Sequence, residues 1–443
     1  MSAFLFLNSM RAKLLFFLAF TSLTAFGQSN IESTKMSWFK DAKLGIFIHW
    51  GIYAVNGVSE SWSFYNEQIS YEDYLNQLKG FTAKNYHPIL WADLIKESGA
   101  KYAVITSKHH DGFALWDSKY GHLNARIHSA AKTDVLSPFI ESIRKKDLKV
   151  GLYFSLPDWS HSDYTQHTKN NKRYAIKEDT MRWNHFTNYF TNQLDELGTR
   201  YNPDLWWFDG DWEHNAKEWG IQSIKTQLRK YNHEVIFNSR LCGEGDYKTP
   251  EIGIPITRPN TDFWELCVTM NDSWGYFPTD SNYKSPQQVI DLFVDCISKG
   301  GNLLLDIGPK ADGTIPKEQI HILRELGKWN KKHQEAIYNT ISGIPYDHFY
   351  GPTSLSKDST QLYLYVRDIP KNGELILKGI NNEIKQVSIV GTGTKLNHKI
   401  FCKVSWNTYP GINYITMPVI ETDNYCTVIK IEFDTKIDLY QDP

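Results

Sequence analysis

The feature that most constrains this chain is a pairing repeated between residues 40 and 340: a short, near-continuous apolar run beside a longer stretch of helical period. The apolar runs fall at 44–50, 102–107, 150–155, 205–209, 235–238 and 302–307, and the helical patterns at 88–98, 135–146, 181–197, 221–231 and 286–298. Strands that are apolar on both faces need cover on both faces, which a parallel sheet wrapped by helices supplies. No GxGxxG follows any of these strands, which argues against a dinucleotide-binding sheet. A (β/α)8-like barrel of the TIM type is therefore expected over residues 28–345. The helix beginning at Pro88 is predicted to turn Ile89, Leu94 and Ile95 inward and to stop at Gly99. After Pro345 the period becomes two, as in QLYLYVR at 361–367, the run at 384–390 and CTVIKIEF at 426–433. Such runs without intervening helices predict an antiparallel β-sandwich over residues 346–443.

The charge balance, 48 Lys and Arg against 50 Asp and Glu, offers no footing for a nucleic-acid partner. Near the start, Arg11 and Lys13 precede an apolar stretch at 14–25 and the small-residue site Ala25-Phe26-Gly27. This pattern predicts a signal peptide, 1–27, cleaved near Gly27, and a secreted or periplasmic protein. No later apolar run reaches membrane-spanning length. The cysteines Cys242, Cys267, Cys296, Cys402 and Cys426 do not have zinc-site spacing. Cys402 with Cys426 is the candidate disulfide.

In a barrel of this kind, chemistry gathers where the strands end. His49 follows the first apolar run, His109-His110-Asp111 the second, and Asp158 the third. Asp209 closes the fourth, Arg240 follows the next, Glu265 lies in TDFWELCVT, and Asp306 falls late in the last. Carboxylates, histidines and tryptophans on one rim suit a polyhydroxylated ring as ligand. Asp209 emerges from Leu205-Trp206-Trp207-Phe208 beside apolar walls, and Gly210 permits close approach. Asp211 is its rival, and a helix-capping aspartate the plainer alternative. Trp264 and its apolar neighbours would desolvate Glu265 and raise its pKa towards that of a general acid; a lysine-paired glutamate is the competing reading. His109, His110 and Asp111 could offer three metal ligands, but adjacent strand residues point to opposite faces. Hydrogen bonding to sugar hydroxyls and a structural histidine pair remain alongside that reading, and no metal or cofactor is expected.

Seven blocks carry a family resemblance: GIFIHWGIYAV, ESWSFYN, SGAKYAVITSKHHDGFALWDS, LKVGLYFSLPDW, LWWFDGDW, WELCVTMNDSWGY and GGNLLLDIGPKADGTIP. In this order, across most of residues 38–345, they resemble glycoside hydrolase family 29, the α-L-fucosidases. The resemblance implies an exo-acting, retaining enzyme that removes terminal α-L-fucose from fucosylated oligosaccharides, glycoconjugates or polysaccharides. It implies that Asp209 is the nucleophile and Glu265 the acid/base. It also implies sugar contacts from His49, His109 and His110, with Trp62, Tyr153, Trp207 and Arg240 shaping or supporting the pocket. Glu60 is offset by one residue from the family's Glu-Trp pair, and Asp306 stands where Asn is common. A catalytically silent fucose-binding protein on the same scaffold is the alternative.

Overall fold

The computed structural model describes residues 35–418 and 422–441; the signal segment expected at 1–27 lies outside them. Among the described residues, seven parallel strands form one curled sheet. They are β1 (Leu44–Ile48), β2 (Tyr102–Lys108), β3 (Lys149–Ser155), β4 (Leu205–Asp209), β5 (Ile236–Phe237), β6 (Glu265–Thr269) and β7 (Asn302–Ile307). Their spatial order is β6-β7-β1-β2-β3-β4-β5. Apart from Lys149, every residue in these strands is buried, as a sheet covered on both faces requires.

Between β5 and β6 the barrel is closed by an extended segment, 247–251, rather than by a regular ladder. Tyr247 bridges to Asn238, Lys248 to Trp264 and Glu251 to Cys267, all in parallel sense. The segment thus takes the eighth place in irregular form. Pro250 has no N–H for a ladder, but its carbonyl accepts from the Cys267 N–H at 3.1 Å.

The covering helices carry readable start and stop signals. Helix α1 (Pro88–Glu97) opens on proline, and Gly99 follows it at φ +93°. It buries Trp91, Ala92, Leu94 and Ile95, whereas Ile89 is 58% exposed, contrary to its expected inward orientation. Pro88 occupies the first helical position, so Ile89 stands in the first turn and falls off the buried stripe. Helix α2 (Leu136–Arg144) precedes β3. In α3 (Thr180–Tyr201) the Asp179 side chain caps the Arg182 N–H, and Asn202 ends the helix in a left-handed conformation. After α4 (Ile221–Arg229), helix α5 (Pro286–Ser298) begins with a reciprocal Ser285–Gln288 capping box. The last of the set is α6 (Lys317–Ile337).

The C-terminal strands are β8 (Thr340–Ser342), β9 (Thr353–Ser356), β10 (Gln361–Val366), β11 (Glu374–Lys378), β12 (Gln386–Ile389), β13 (His398–Phe401), β14 (Ile412–Thr416) and β15 (Thr427–Glu432). They pair antiparallel as β8-β9-β10-β15-β12 and β11-β14-β13. Leu362, Leu364, Ile429 and Ile431 of the first sheet share a core with Leu375, Leu377 and Ile415 of the second. Strand β8 lies ahead of the expected boundary at residue 345. Polar anchors tie the sandwich to the barrel helices. The Trp329 indole N–H of α6 donates to the Cys426 carbonyl at 2.9 Å, and Arg367 pairs with Asp291 and Asp295 of α5, each at 2.9 Å. The disulfide expected between Cys402 and Cys426 is not formed: Cys402 is exposed beyond β13, Cys426 is buried, and both are free thiols. No helix among the described residues is long and apolar enough to cross a membrane.

The inner end of the barrel depends on a glycine. A Cβ at Gly301, immediately before β7, would meet ring carbons of Trp264 at 2.2, 2.3 and 2.5 Å. Overpacking of this kind costs about 1–3 kcal/mol, so Gly301→Ala is expected to lower the Tm by roughly 2–10 °C. Calorimetry is the check; an unchanged Tm would mean that the indole moves aside without cost.

Candidate active site

The chain leaves β4 at Asp209 and turns at once through Gly210, at φ +84°. A Cβ there would lie 2.3 Å from the Pro157 ring, so only glycine lets the two loops close against each other. One residue upstream, the Asn238 side chain grips Phe208 on both sides. It accepts from the Phe208 N–H and donates to the Phe208 carbonyl, each at 2.9 Å. Asp209 is therefore delivered from a rigid backbone.

Its carboxylate is held from two directions. The Arg240 Nη1 donates to Oδ1 at 2.7 Å, and the Tyr153 hydroxyl donates to Oδ2 at 3.0 Å. The Arg240 guanidinium also lies over Trp207, 4.6 Å from the ring centre, and its Nη2 donates to Glu251. One planar fork thus carries two carboxylates, the geometry for which arginine is suited.

These groups wall a cavity of about 190 Å³ lined by Phe47, His49, Glu60, Trp62, His109, Tyr153, Trp207, Asp209, Trp212, Arg240, Glu251 and Trp274. Eight of the ten residues singled out from sequence line it. His110 adjoins it, with Nε2 3.6 Å from Asp209 Oδ2. Glu265 does not line it. Asp211 is turned to another task, accepting from the Cys242 N–H at 2.5 Å.

The position of Glu265 corrects the expectation that it emerges at the rim. It is the first residue of β6, whereas Asp209 is the last of β4, and all these strands run the same way. From Glu265 the strand continues about 13 Å before reaching the rim at Thr269. Glu265 is fully buried, accepting from the Tyr102 hydroxyl and, at 3.1 Å, from the Trp207 indole N–H. Burial pushes its pKa up to about 7 against the pull of these two donors, as anticipated, but in a place apart from the cavity. The carboxylate that reading the sequence missed is Glu251, on the irregular eighth segment. The apolar run Leu-Cys-Val-Thr after Glu265 was the available signal that this glutamate begins a strand rather than ends one.

Each histidine is oriented by a partner behind it. His49 Nδ1 lies 2.7 Å from Asp306 Oδ1. Burial drives both towards their neutral forms, with His109 further lowering the imidazole's pKa and Glu60 further raising the carboxyl's. His109 Nδ1 meets the Ser61 hydroxyl at 2.5 Å. His110 Nδ1 lies 2.5 Å from Ser155 Oγ, whose own proton is directed 2.6 Å to the Pro157 carbonyl. Ser155 must then accept from His110, which puts the proton on Nδ1 and leaves Nε2 as an acceptor. Burial, with Lys108 nearby, lowers the His110 pKa to about 3, so the ring is neutral. Glu60 accepts from the Gly275 N–H at 2.6 Å, and burial raises its pKa to about 7. Phe47, Trp207 and Trp274 form an apolar corner, with ring centres 5.0 Å apart for Phe47–Trp207 and 6.1 Å for Phe47–Trp274. Among the described residues, no group of three His, Cys, Asp or Glu is placed to hold a metal ion.

A cavity with paired carboxylates, neutral histidines and an aromatic corner has counterparts among known proteins. The sequence model of the family described as Alpha-L-fucosidase matches residues 23–335. The plasma α-L-fucosidase of Homo sapiens is 32% identical, over 82% of this chain and 82% of its own. The solved structure of α-L-fucosidase isoenzyme 1 from Paenibacillus thiaminolyticus aligns with a TM-score of 0.82 at 30% identity, covering 91% of this chain and 100% of that one. A family 29 α-L-fucosidase from Bacteroides thetaiotaomicron, trapped as a covalent intermediate with 2-fluoro-fucosyl fluoride in a glutamate-to-glutamine mutant, aligns at 0.79 and 28% identity, covering 90% and 96%. With its barrel, its sandwich and this site, the chain belongs to the α-L-fucosidases of glycoside hydrolase family 29.

Proposed function

We propose that this enzyme is exo-acting and retaining, with Asp209 as nucleophile and Glu251 as acid/base. The observation that carries the reading is the double pairing of Arg240, which holds the cavity's two flanking carboxylates on one guanidinium. Retention needs carboxyl groups about 5 to 5.5 Å apart, and a shared fork favours a short spacing. Glu265, buried and bonded to the Trp207 indole, is not among the cavity's lining residues, which supports Glu251 in its stead.

In the first step Asp209 attacks C1 of the fucosyl unit as the bond to the leaving oxygen breaks. Glu251 donates its proton to that oxygen, and a fucosyl–Asp209 ester remains. In the second step Glu251 takes a proton from water, the water oxygen bonds to C1, and the Asp209 carboxylate is released with α-fucose. Half-exposed at the mouth, with a side chain 37% accessible, Glu251 is where leaving group and water arrive. The trapped covalent intermediate of the Bacteroides relative supports the same course here.

Substrate selection follows from the cavity. Its size admits one sugar ring, which supports removal of terminal residues from fucosylated glycans. The corner of Phe47, Trp207 and Trp274 suits the C6 methyl of fucose, worth about 1–3 kcal/mol in discrimination. His49, His109, His110, Glu60, Trp62, Tyr153 and Arg240 would bind and orient the hydroxyl-bearing ring. The neutral His110, with a bare Nε2, is an acceptor for a sugar O–H. The basic and apolar segments before Gly27 support export with loss of residues 1–27.

Asp209→Ala is expected to fold normally and to lose about 10³-fold or more in kcat; near-native turnover of an aryl α-L-fucoside would remove the nucleophile assignment. Glu251→Ala should lose about 10²- to 10⁴-fold on fucosides with poor leaving groups and much less on activated aryl fucosides. Azide, a nucleophile that needs no general base, should restore its turnover. Equal losses on both substrate types without azide rescue would show that Glu251 is not the acid. In NMR of the native reaction, α-fucose should appear before the β anomer.

A further inference from the structure

We propose that Glu265 is the positioning residue of this site, acting through Trp207 and Arg240 on both reacting carboxylates; the inference rests on the reading of Asp209 and Glu251 as the catalytic pair. Five contacts form one line from the closed end of the barrel to the cavity. The Tyr102 hydroxyl donates to Glu265 Oε2, and the Trp207 indole N–H donates to Oε1 at 3.1 Å. The Arg240 guanidinium lies on the Trp207 ring, 4.6 Å from its centre. Its two terminal nitrogens then hold Asp209 and Glu251.

Each link has a physical reason to be stiff. Indole N–H is a donor with no acceptor capacity, so in a dry interior its direction follows its acceptor. Glu265 is fully buried as the first residue of β6, and its own direction is fixed by Tyr102. Tyr102 cannot swing away easily, because its ring occupies the space a Cβ would take at Gly45, 2.3 Å from where that atom would be. The plane of Trp207 is held further by Phe47 at 5.0 Å and by Tyr153, near-parallel at 5.7 Å. A guanidinium resting on that plane is therefore aimed by it. Tyr153 also donates to Asp209, so the indole borders both groups that fix the nucleophile.

The link survives a change of protonation at Glu265. As a carboxylate it accepts from both donors; as a neutral acid it still accepts from Trp207 and can donate to the Tyr102 oxygen. A glutamine can do the same, its carbonyl towards Trp207 and its amide N–H towards Tyr102. A leucine of similar bulk leaves the indole N–H without an acceptor.

The test compares Glu265→Gln with Glu265→Leu in the full-length enzyme, on an activated aryl fucoside and on a fucoside with a poor leaving group. Glutamine should keep kcat within about threefold of native on both, whereas leucine should lower kcat by about 10- to 100-fold on both, with a smaller change in KM. Azide should not restore the leucine variant. Trp207→Phe, which removes the N–H, should lower kcat too, and combining it with Glu265→Leu should cost far less than the product of the two losses. If leucine does not fold, the Gln and Trp207→Phe variants carry the test through the same kcat and leaving-group comparison. A glutamine variant crippled only on poor leaving groups and rescued by azide would make Glu265 the acid and overturn the proposal. Full kcat in Trp207→Phe, or losses that multiply independently, would overturn it as well. Either result stands apart from the Glu251→Ala experiment, which judges the catalytic pair itself.

Discussion

Strands that run in one direction through a dry interior give ionisable groups two very different addresses. At the end where the chain emerges, a carboxylate meets loops, cations and solvent; at the beginning, it is enclosed by the barrel floor. Asp209 closes β4 and is received by Arg240 and Tyr153. Glu265 opens β6 and finds a phenol and an indole. The same functional group is a partner for a cation in one place and, in the other, a hydrogen-bond acceptor whose pKa burial has raised to about 7. Strand direction thus divides chemistry from support before any side chain is chosen.

Within the cavity, charge is rationed by desolvation. His49, His109 and His110 are all pushed by burial towards the neutral imidazole, which leaves Arg240 as the cation of the lining. The Nδ1 atoms of these neutral rings are tied to Asp306, Ser61 and Ser155, which fixes how each ring is turned. A sugar has hydroxyls to recognise and no charge to neutralise, so fixed ring orientations are worth more than added positive charge. In the proposed reaction the charge that matters develops at the anomeric centre, where the two carboxylates on Arg240 would face it.

Much of this was legible in the amino-acid order. LWWFD reads as a buried strand with an acid at its end, and it is one. The runs at 361–367, 384–390 and 426–433 all fall in the five-stranded sheet of the sandwich. What could not be read has identifiable physical causes. Phe263 and Trp264 before Glu265 suggest a strand that ends there, and they compete with the Leu266-Cys267-Val268 run that marks its start. Glu251 follows Thr249-Pro250 in a stretch of no regular period, and proline there argues against a strand. Trp274 reaches the cavity from a loop and Trp212 from a single 3-10 turn, where spacing carries no directional information. The three-stranded sheet escaped because its outer strand, β13, is mostly exposed and includes the apolar pair Ile400 and Phe401.

The irregular eighth place in the barrel has a mechanical consequence. Seven staves are joined by ladders, but the one bearing Glu251 meets its neighbours through three isolated bridges and a few backbone hydrogen bonds. In the proposed pair, one carboxylate thus stands on an irregular segment and the other at the end of a regular strand. Insertions along the seam can reshape the vestibule where the departing glycan lies and leave the anchorage of Asp209 untouched. If the proposed pair is right, preference for what is cut away can drift in this scaffold without disturbing the grip on the sugar that stays.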